Sequence, residues 1–419
     1  MVCQTSLRKR ILTLVLAVTL LALLAGVAAA DPPEPLAAPG GGAYVPDEVL
    51  VSLRPGADIH ALARSVGARP YEQTLLGVWV LKVPEGAVPQ VVAALSHNPN
   101  VEYAEPNGIA TIIADPNDPY DNTTCYNTSG QGCLEQWAWA KIQAYQAWDV
   151  TKGSTSVRVA IVDTGIDSTH PDLPRVVAQR DFANNDYNAE DDNGHGTHVA
   201  GTVGALTNNG VGVAGSNWSI SLMAVKVLSS SGSGSYSAIA NGITWAADNG
   251  AKVINLSLGG TVGSTTLQNA VNYAWNKGVV IAAAAGNSGT SAKTYPAAYT
   301  NCIAVAATDE NDAKASFSNY GSSWVDVAAP GVRILSTMPD HTVYLNTAYG
   351  YYRNYDSMNG TSMATPHVAG LAGLVWATGK CSTASCVRSR IESNADRISG
   401  TGTYWYWGRI NDYRAVSAP

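Results

Sequence analysis

The chain predicts an α/β fold of three layers, a mostly parallel sheet covered by helices on both faces, preceded by a small α+β unit of ferredoxin-like type. Three observations carry this reading. From about Lys141 onward, short apolar runs alternate with segments of helical period. The runs are nearly continuous in their apolar character, as strands are when both sheet faces are covered. Ahead of them, between about Tyr44 and Asn107, lies a stretch with its own strand and helix pattern, closed by a segment rich in Pro, Asn and Asp.

Taken in order, Arg8-Lys9-Arg10 precede an apolar run from Ile11 to about Val27, and Ala28-Ala29-Ala30 follow. This predicts a cleaved export signal over residues 1–30 and a secreted chain. An uncleaved anchor is the alternative, because the run approaches the roughly 20 residues that a membrane span needs. Residues 31–43, with "DPPEPLAAPGGG", read as a linker. Within 44–108, "EVLVSLRP" reads as a strand, "ADIHALARSVGA" as a helix and "TLLGVWVLKVP" as a strand. "VPQVVAALSHN" is helical and "VEYAEPN" extended, so a β-α-β-β-α-β order fits with one strand unclear. "GIATIIADPNDPYDNTT" reads as a linker, assigned to residues 109–118, and the large domain as 119–419. There the strands are "VRVAIVDTG", "SLMAVKVL", "KVINLSLGG", "GVVIAAAAGN" and "CIAVAATD". "SYSAIANGITWAADNG" and "TTLQNAVNYAWNKG" are helices closed by Asn-Gly and Lys-Gly.

With 46% apolar and 14% charged residues in 419, the chain is globular. A net charge of −7 without a basic stripe argues against nucleic acid as a partner. Export permits disulfides. Cys125 with Cys133, and Cys381 with Cys386, each close a short loop, while Cys302 sits in an apolar strand and reads as a buried thiol. No C-x-x-C pair is present, which argues against a cysteine metal site.

In an open α/β sheet the chemistry gathers at the carboxyl ends of the strands. The first such strand ends in Asp163, partly desolvated and in need of a partner, or else a simple cap. "DDNGHGTHVAG" offers His195 and His198, three apart. A metal pair is one reading, but the glycines around His195 place it in a turn, and H-E-x-x-H is absent. Asn287 ends "VVIAAAAGN", as a turn residue or as an N–H donor to an oxyanion. In "NGTSMATPHVAG", a helix starting near Ser362 puts Pro366 in or just after its first turn. Five residues at about 100° each leave Ser362 and His367 roughly 140° apart, so the base for Ser362 must come from elsewhere. His195 is the leading candidate.

The order Asp163, His195, Ser362, with "VAIVDTGIDSTHPDL", "NGHGTHVAG", "AAAGNSG" and "NGTSMATPHVAG", resembles the subtilases, and most of all their thermitase-like branch. The likeness extends through "KIQAYQAWDVTKG", "ANGITWAADNGAKVINLSLGG", "AVNYAWNKGVV" and "ISGTGTYW", and residues 44–108 resemble the family's inhibitor-type propeptide. The resemblance implies a serine endopeptidase acting on proteins and peptides through an acyl-enzyme. Ser362 would be the nucleophile, His195 the base, Asp163 its orienting acid, and Asn287 an oxyanion donor. His198 and His367 then take packing roles. Substrate would lie extended between Ser231, Gly232, Ser233, Gly234 and Ser235 on one side and Ser257, Leu258, Gly259 and Gly260 on the other. Ala284, Ala285 and Gly286 would line the first specificity pocket, with Thr294 near its base and no charge to impose selectivity.

The resemblance further implies structural Ca²⁺, first at Asp118, Asp172, Leu206, Asn209, Val211 and Val213. A second candidate group is Asp181, Asn184, Asp186, Asn188 and Glu190, where Asn184 replaces an Asp of the branch. Between Pro339 and Ser357 the chain is longer than the family pattern, and its tyrosines form either a lip on the leaving-group side or a packed surface loop. The propeptide would inhibit its own enzyme with "VEYAEPN" in the cleft until self-cleavage within about 108–117. The mature enzyme is expected to be a monomer without stable membrane association.

Overall fold

The computed structural model describes residues 36–37, 43–112, 136–174, 176–209 and 211–418. The expected signal, Asp118, Cys125 and Cys133 lie outside these residues. A short β1 (Leu36–Ala37) pairs antiparallel with β2 (Ala43–Leu53). Then follow α1 (Ile59–Ser65), β3 (Arg69–Gln73), β4 (Trp79–Lys82), α2 (Val88–Ser96) and β5 (Val101–Ile112). The Asp58 carboxylate caps α1 by accepting from His60 N. Strand order β5-β2-β4-β3 gives the ferredoxin-like sheet. The strand unclear from sequence is β3, which is exposed at four of its five positions and so carries no in-out alternation. Val49, Val51, Leu62, Leu81, Val91 and Leu95 belong to a core that this unit builds for itself.

One expectation fails here. The chain does not become a linker after Asn107, because β5 runs on to Ile112. "VEYAEP" pairs with β2 inside the small sheet, and the segment beyond it takes two further partners from the large domain.

After α3 (Trp137–Lys141) and α4 (Ala144–Val150) come β6 (Gly153–Asp163), β7 (Val176–Asp181), α5 (His195–Gly204), β8 (Ser219–Lys226) and β9 (Ser233–Ser235). Next are α6 (Tyr236–Asp248), β10 (Val253–Leu256), β11 (Leu258–Gly259), α7 (Thr265–Asn276), β12 (Val280–Ala284) and β13 (Ile303–Thr308). The chain ends with β14 (Val327–Pro330), β15 (Ile334–Met338), α8 (Tyr344–Tyr349), β16 (Asn354–Met358), α9 (Thr361–Ala377), α10 (Ala384–Ser393), β17 (Gly408–Arg409) and α11 (Asp412–Ser417).

The central sheet has the order β17-β14-β13-β12-β10-β6-β8-β7, and its ladders are parallel. Along β6, Val159 and Ile161 pack in the core shared with α5 and α9, while Ala160 and Val162 pack in the core shared with α6 and α7. This alternation between two buried faces explains the continuous apolar runs. The expected Gly exits hold: Gly250 and Gly278 follow α6 and α7 with φ of 84° and 83°. Within this sheet, the strands missing from the sequence reading are the half-exposed edge β7 and the short β14 and β17. Cys381 and Cys386 form a disulfide, and Cys302 is a buried free thiol whose acidity burial suppresses.

Candidate active site

Asp163 closes β6 with a fully buried side chain. Its Oδ1 accepts from Thr164 N at 2.7 Å and from His195 Nδ1 at 2.7 Å. A carboxylate only accepts, so Nδ1 carries the proton and Nε2 is left as a basic lone pair. Nε2 is buried and has no partner among the described residues. His195 is the first residue of α5, between two glycines. A Cβ on Gly196 would stand 2.1 Å from Gly165 O, so only glycine lets the helix start this close to the end of β6.

The residue that aims this corner is Asp191, which the sequence reading did not single out. Its Oδ1 accepts from Thr164 Oγ1, Asn193 N and Gly194 N, and its Oδ2 from Thr197 N and Thr197 Oγ1. Lys226 adds a second tie, donating to Thr164 O at 2.7 Å and to Asp192 Oδ1 at 2.6 Å. The run "DDNG" ahead of a helix was the available signal for Asp191.

Ser362 is the second residue of α9. Its Oγ donates to Ser257 O at 3.1 Å, and the Ser257 hydroxyl donates back to Ser362 O at 2.7 Å. Pro366 lies inside the helix, deeper than expected, because α9 begins at Thr361. Its missing N–H frees Ser362 O, and Ser257 takes that bond.

Asn287 lies three residues beyond β12. Its Oδ1 accepts from Thr361 N at 2.9 Å and Thr361 Oγ1 at 3.0 Å, which fixes the orientation of the amide. Nδ2 is thereby a buried donor without a partner among the described residues. Gly286 has φ of 106°, and a Cβ there would stand 2.5 Å from Asn319 Nδ2. Asn319, also missed from sequence, donates to Ala285 O and Thr294 Oγ1 and accepts from Ser288 N and Thr290 N. Ala284 and Ala285 are fully buried.

The two backbone edges do face each other, with β5 between them. Ile109, Ala110 and Thr111 pair antiparallel with Ser235, Gly234 and Ser233. Thr111 and Ile112 pair antiparallel with Gly259 and Leu258. Ser231 and Gly232 form the turn before β9, where Gly232 N donates to Ser229 O. Gly260 instead pairs with Tyr295. The cleft segment is therefore 109–112 and not "VEYAEPN".

His198 donates through Nε2 to Ile334 O and Asp356 O, and burial lowers its pKa to about 3. His367 reaches Met363 O at 2.9 Å, and burial lowers its pKa to about 4. Both rings are neutral at ordinary pH and bonded to backbone carbonyls.

At the first calcium candidate, Asp172 is fully buried with its acidity weakened by desolvation. Asn209 Nδ2 and Val213 N donate to its carboxylate, and no Lys or Arg among the described residues pairs with it. A buried carboxylate with that surround fits a cation. Leu206 N bonds Asp172 O, and exposed Val211 lies in the same loop. The second group does not fit. Asp181 spends both oxygens on Ala183 N, Asn184 N and Asn184 Nδ2, a self-contained turn. Asp186 caps Asn188 N, and Glu190 stands elsewhere, beside Asp167 and His341.

Comparison with known proteins agrees with this geometry. Residues 154–406 match the Subtilase family, and residues 30–107 match the Fervidolysin N-terminal prodomain. Thermitase of Thermoactinomyces vulgaris is 56% identical over 302 residues, covering 72% of this chain and 99% of that protein. The Thermophilic serine proteinase of Bacillus sp. (strain AK1) is 48% identical over 383 residues, covering 90% of this chain and 88% of the relative. M-protease of Shouchella clausii (strain KSM-K16) is 42% identical over 316 residues, 75% of this chain and 74% of its own length. The chain belongs to the subtilase family, as a thermitase-like serine endopeptidase carrying its own N-terminal prodomain.

Proposed function

We propose that the chain is a secreted, calcium-stabilised endopeptidase of broad preference, made as a zymogen that processes itself. The 2.7 Å bond from His195 to Asp163 carries this reading, because it leaves Nε2 as the base of the site. Ser362 Oγ turns from Ser257 O toward His195 and attacks the scissile carbonyl carbon as His195 takes its proton. Asp163 stabilises the resulting imidazolium. Asn287 Nδ2 and the Ser362 N–H receive the oxyanion, aided by the positive end of α9. His195 then protonates the leaving amine, and water releases the acyl group by the reverse sequence. Substrate adds as a strand between β9 and β11, with its first side chain in the pocket of Ala284, Ala285, Gly286 and Thr294. The uncharged walls favour apolar or aromatic side chains.

Calcium at Asp172, Asn209 and the Leu206–Val213 loop, with Asp118, would neutralise a buried carboxylate. The export signal of residues 1–30 supports secretion, and no helix among the described residues is long and apolar enough to cross a membrane. The mature monomer begins C-terminal to Ile112, since 109–112 lie between the two edges. A serine-directed phosphonylating reagent is expected to abolish casein hydrolysis, while EGTA lowers thermal stability and spares serine labelling. Rapid loss of activity in chelator at low temperature, with Ser362 unlabelled, would overturn the triad. Likewise, Ser362→Ala made in a protease-free host should stay uncut, and recovery of mature protein from it would refute self-processing.

A further inference from the structure

The segment after β6, the loop before α5 and the insertion after β15 meet at a mixed nitrogen and oxygen group that proteolysis does not use. Asp167, Glu190 and His341 each offer one ligand atom, and the three atoms lie within 4.8 Å of one another. His341 Nε2 stands 3.2 Å from Asp191 O, and a carbonyl only accepts, so Nε2 carries the proton. In the neutral ring Nδ1 is then a lone pair. It faces Asp340 Oδ1 at 3.4 Å and Asp167 Oδ2 at 3.8 Å. An acceptor set against two carboxylates is repulsive, so either the ring takes up a proton, which burial opposes but Asp191 O, Asp340 and Asp167 favour on balance, or a metal cation stands between them.

A proton on Nδ1 would draw its carboxylate to about 2.7–2.9 Å, shorter than either gap. Bonds of about 2.0–2.2 Å to a tetrahedral ion place neighbouring ligand atoms roughly 3.3 Å apart, so the 3.8 Å between His341 Nδ1 and Asp167 Oδ2 would shorten on binding. The surround is that of held ligands. Asp167 is fully buried, and its carboxylate is oriented by Thr169 N, Thr169 Oγ1 and Asp340 N. The imidazole is oriented through its far nitrogen by a backbone carbonyl, as metal-binding histidines are. Glu190 receives a 3.4 Å contact from Ser168 Oγ, and burial with the Asp167 charge weakens its acidity. Among the described residues no Lys or Arg pairs with Asp167 or Glu190.

We propose that Asp167, Glu190 and His341 bind a divalent transition ion of the zinc class, which fastens the insertion to the loop carrying His195. The imidazole ligand disfavours calcium, which prefers oxygen throughout. Occupancy would tie His341 to the strand that supplies Asp163 and to the backbone beside Asp191.

The test titrates the full chain carrying Ser362→Ala with ZnCl₂ in excess CaCl₂, followed by calorimetry and thermal unfolding. About one equivalent should bind, with a rise in the unfolding midpoint. His341→Gln and Glu190→Gln should each weaken binding by roughly tenfold or more and remove the rise. Near-UV circular dichroism of the variants, unchanged, establishes that they fold. Absence of saturable zinc binding overturns the proposal and leaves a histidinium ion pair at this place. Equal uptake by parent and His341→Gln also overturns it, as adventitious binding at other histidines.

Discussion

At the scale of single residues, the informative atoms are those with an unspent bond. Asn287 Nδ2 is buried without a partner among the described residues while its own Oδ1 is held by Thr361. Such a donor is stabilising only when negative charge arrives. Asn287→Ala should therefore lower kcat about 100- to 1,000-fold with little change in KM, as read by steady-state kinetics on a peptide substrate. A change confined to KM would remove Asn287 from the oxyanion role. The placing of Asp163, His195, Asn287 and Ser362 at or just past a strand end or at a helix start was legible in the sequence, because the fold class directs attention there. Asn319 and Lys226 were not, because their partners lie 25 to 62 positions away and only the folded chain brings them near, while Asp191 was passed over although "DDNG" ahead of a helix marked it.

At the scale of elements, α9 combines two features that sequence treats separately. Thr361 to Val375 is buried throughout, so the segment reads as apolar without a periodic face, and Pro366 interrupts its hydrogen bonds. The Ser257 hydroxyl repairs that gap at Ser362 O. Ser257→Ala should cost on the order of 1–3 kcal/mol by removing this bond to a buried carbonyl. Pro366→Ala supplies an N–H for the same carbonyl, so in the double variant the loss at residue 257 should shrink. Urea unfolding of the four chains in a Ser362→Ala background measures the coupling, and strict additivity would refute the repair. The helix itself was legible, but its partner was not, because nothing in "SLGG" announces a bond to a residue 105 positions later. The end of β5 was misread for a related reason. "IATI" is too short to declare a strand alone, and its partners β9 and β11 are only three and two residues long.

At the scale of the whole molecule, the parallel sheet and the ferredoxin-like unit were both legible, since each builds its own core from local pattern. Their meeting was not. Glu105 accepts from Ser264 Oγ, Thr265 N and Thr266 N at the start of α7, and Asn107 Oδ1 accepts from Ser237 N at the start of α6. Global stability also carries a pH signature from Asp356, buried in β16, whose pKa burial raises from 3.8 to about 6. A raised folded value means the native state holds the proton more tightly. The stability this contributes is full below about pH 4 and is lost as pH rises through about 6, on the order of 3 kcal/mol. Measured in the Ser362→Ala chain, the stability of the parent relative to Asp356→Asn should fall across that interval and level off above it. A difference independent of pH would exclude Asp356 as the source.

The unbroken run of β5 from the small sheet into the cleft has a consequence for timing. A cut beyond Ile112 removes no pairing with β2, β9 or β11, so the severed strand keeps its place. Cleavage and opening are then separate clocks. If the chain processes itself as proposed, the first would be set by chemistry at Ser362, and the second by how fast a whole folded unit peels away or is itself digested. A newly cut molecule would then remain shut for as long as the second clock runs.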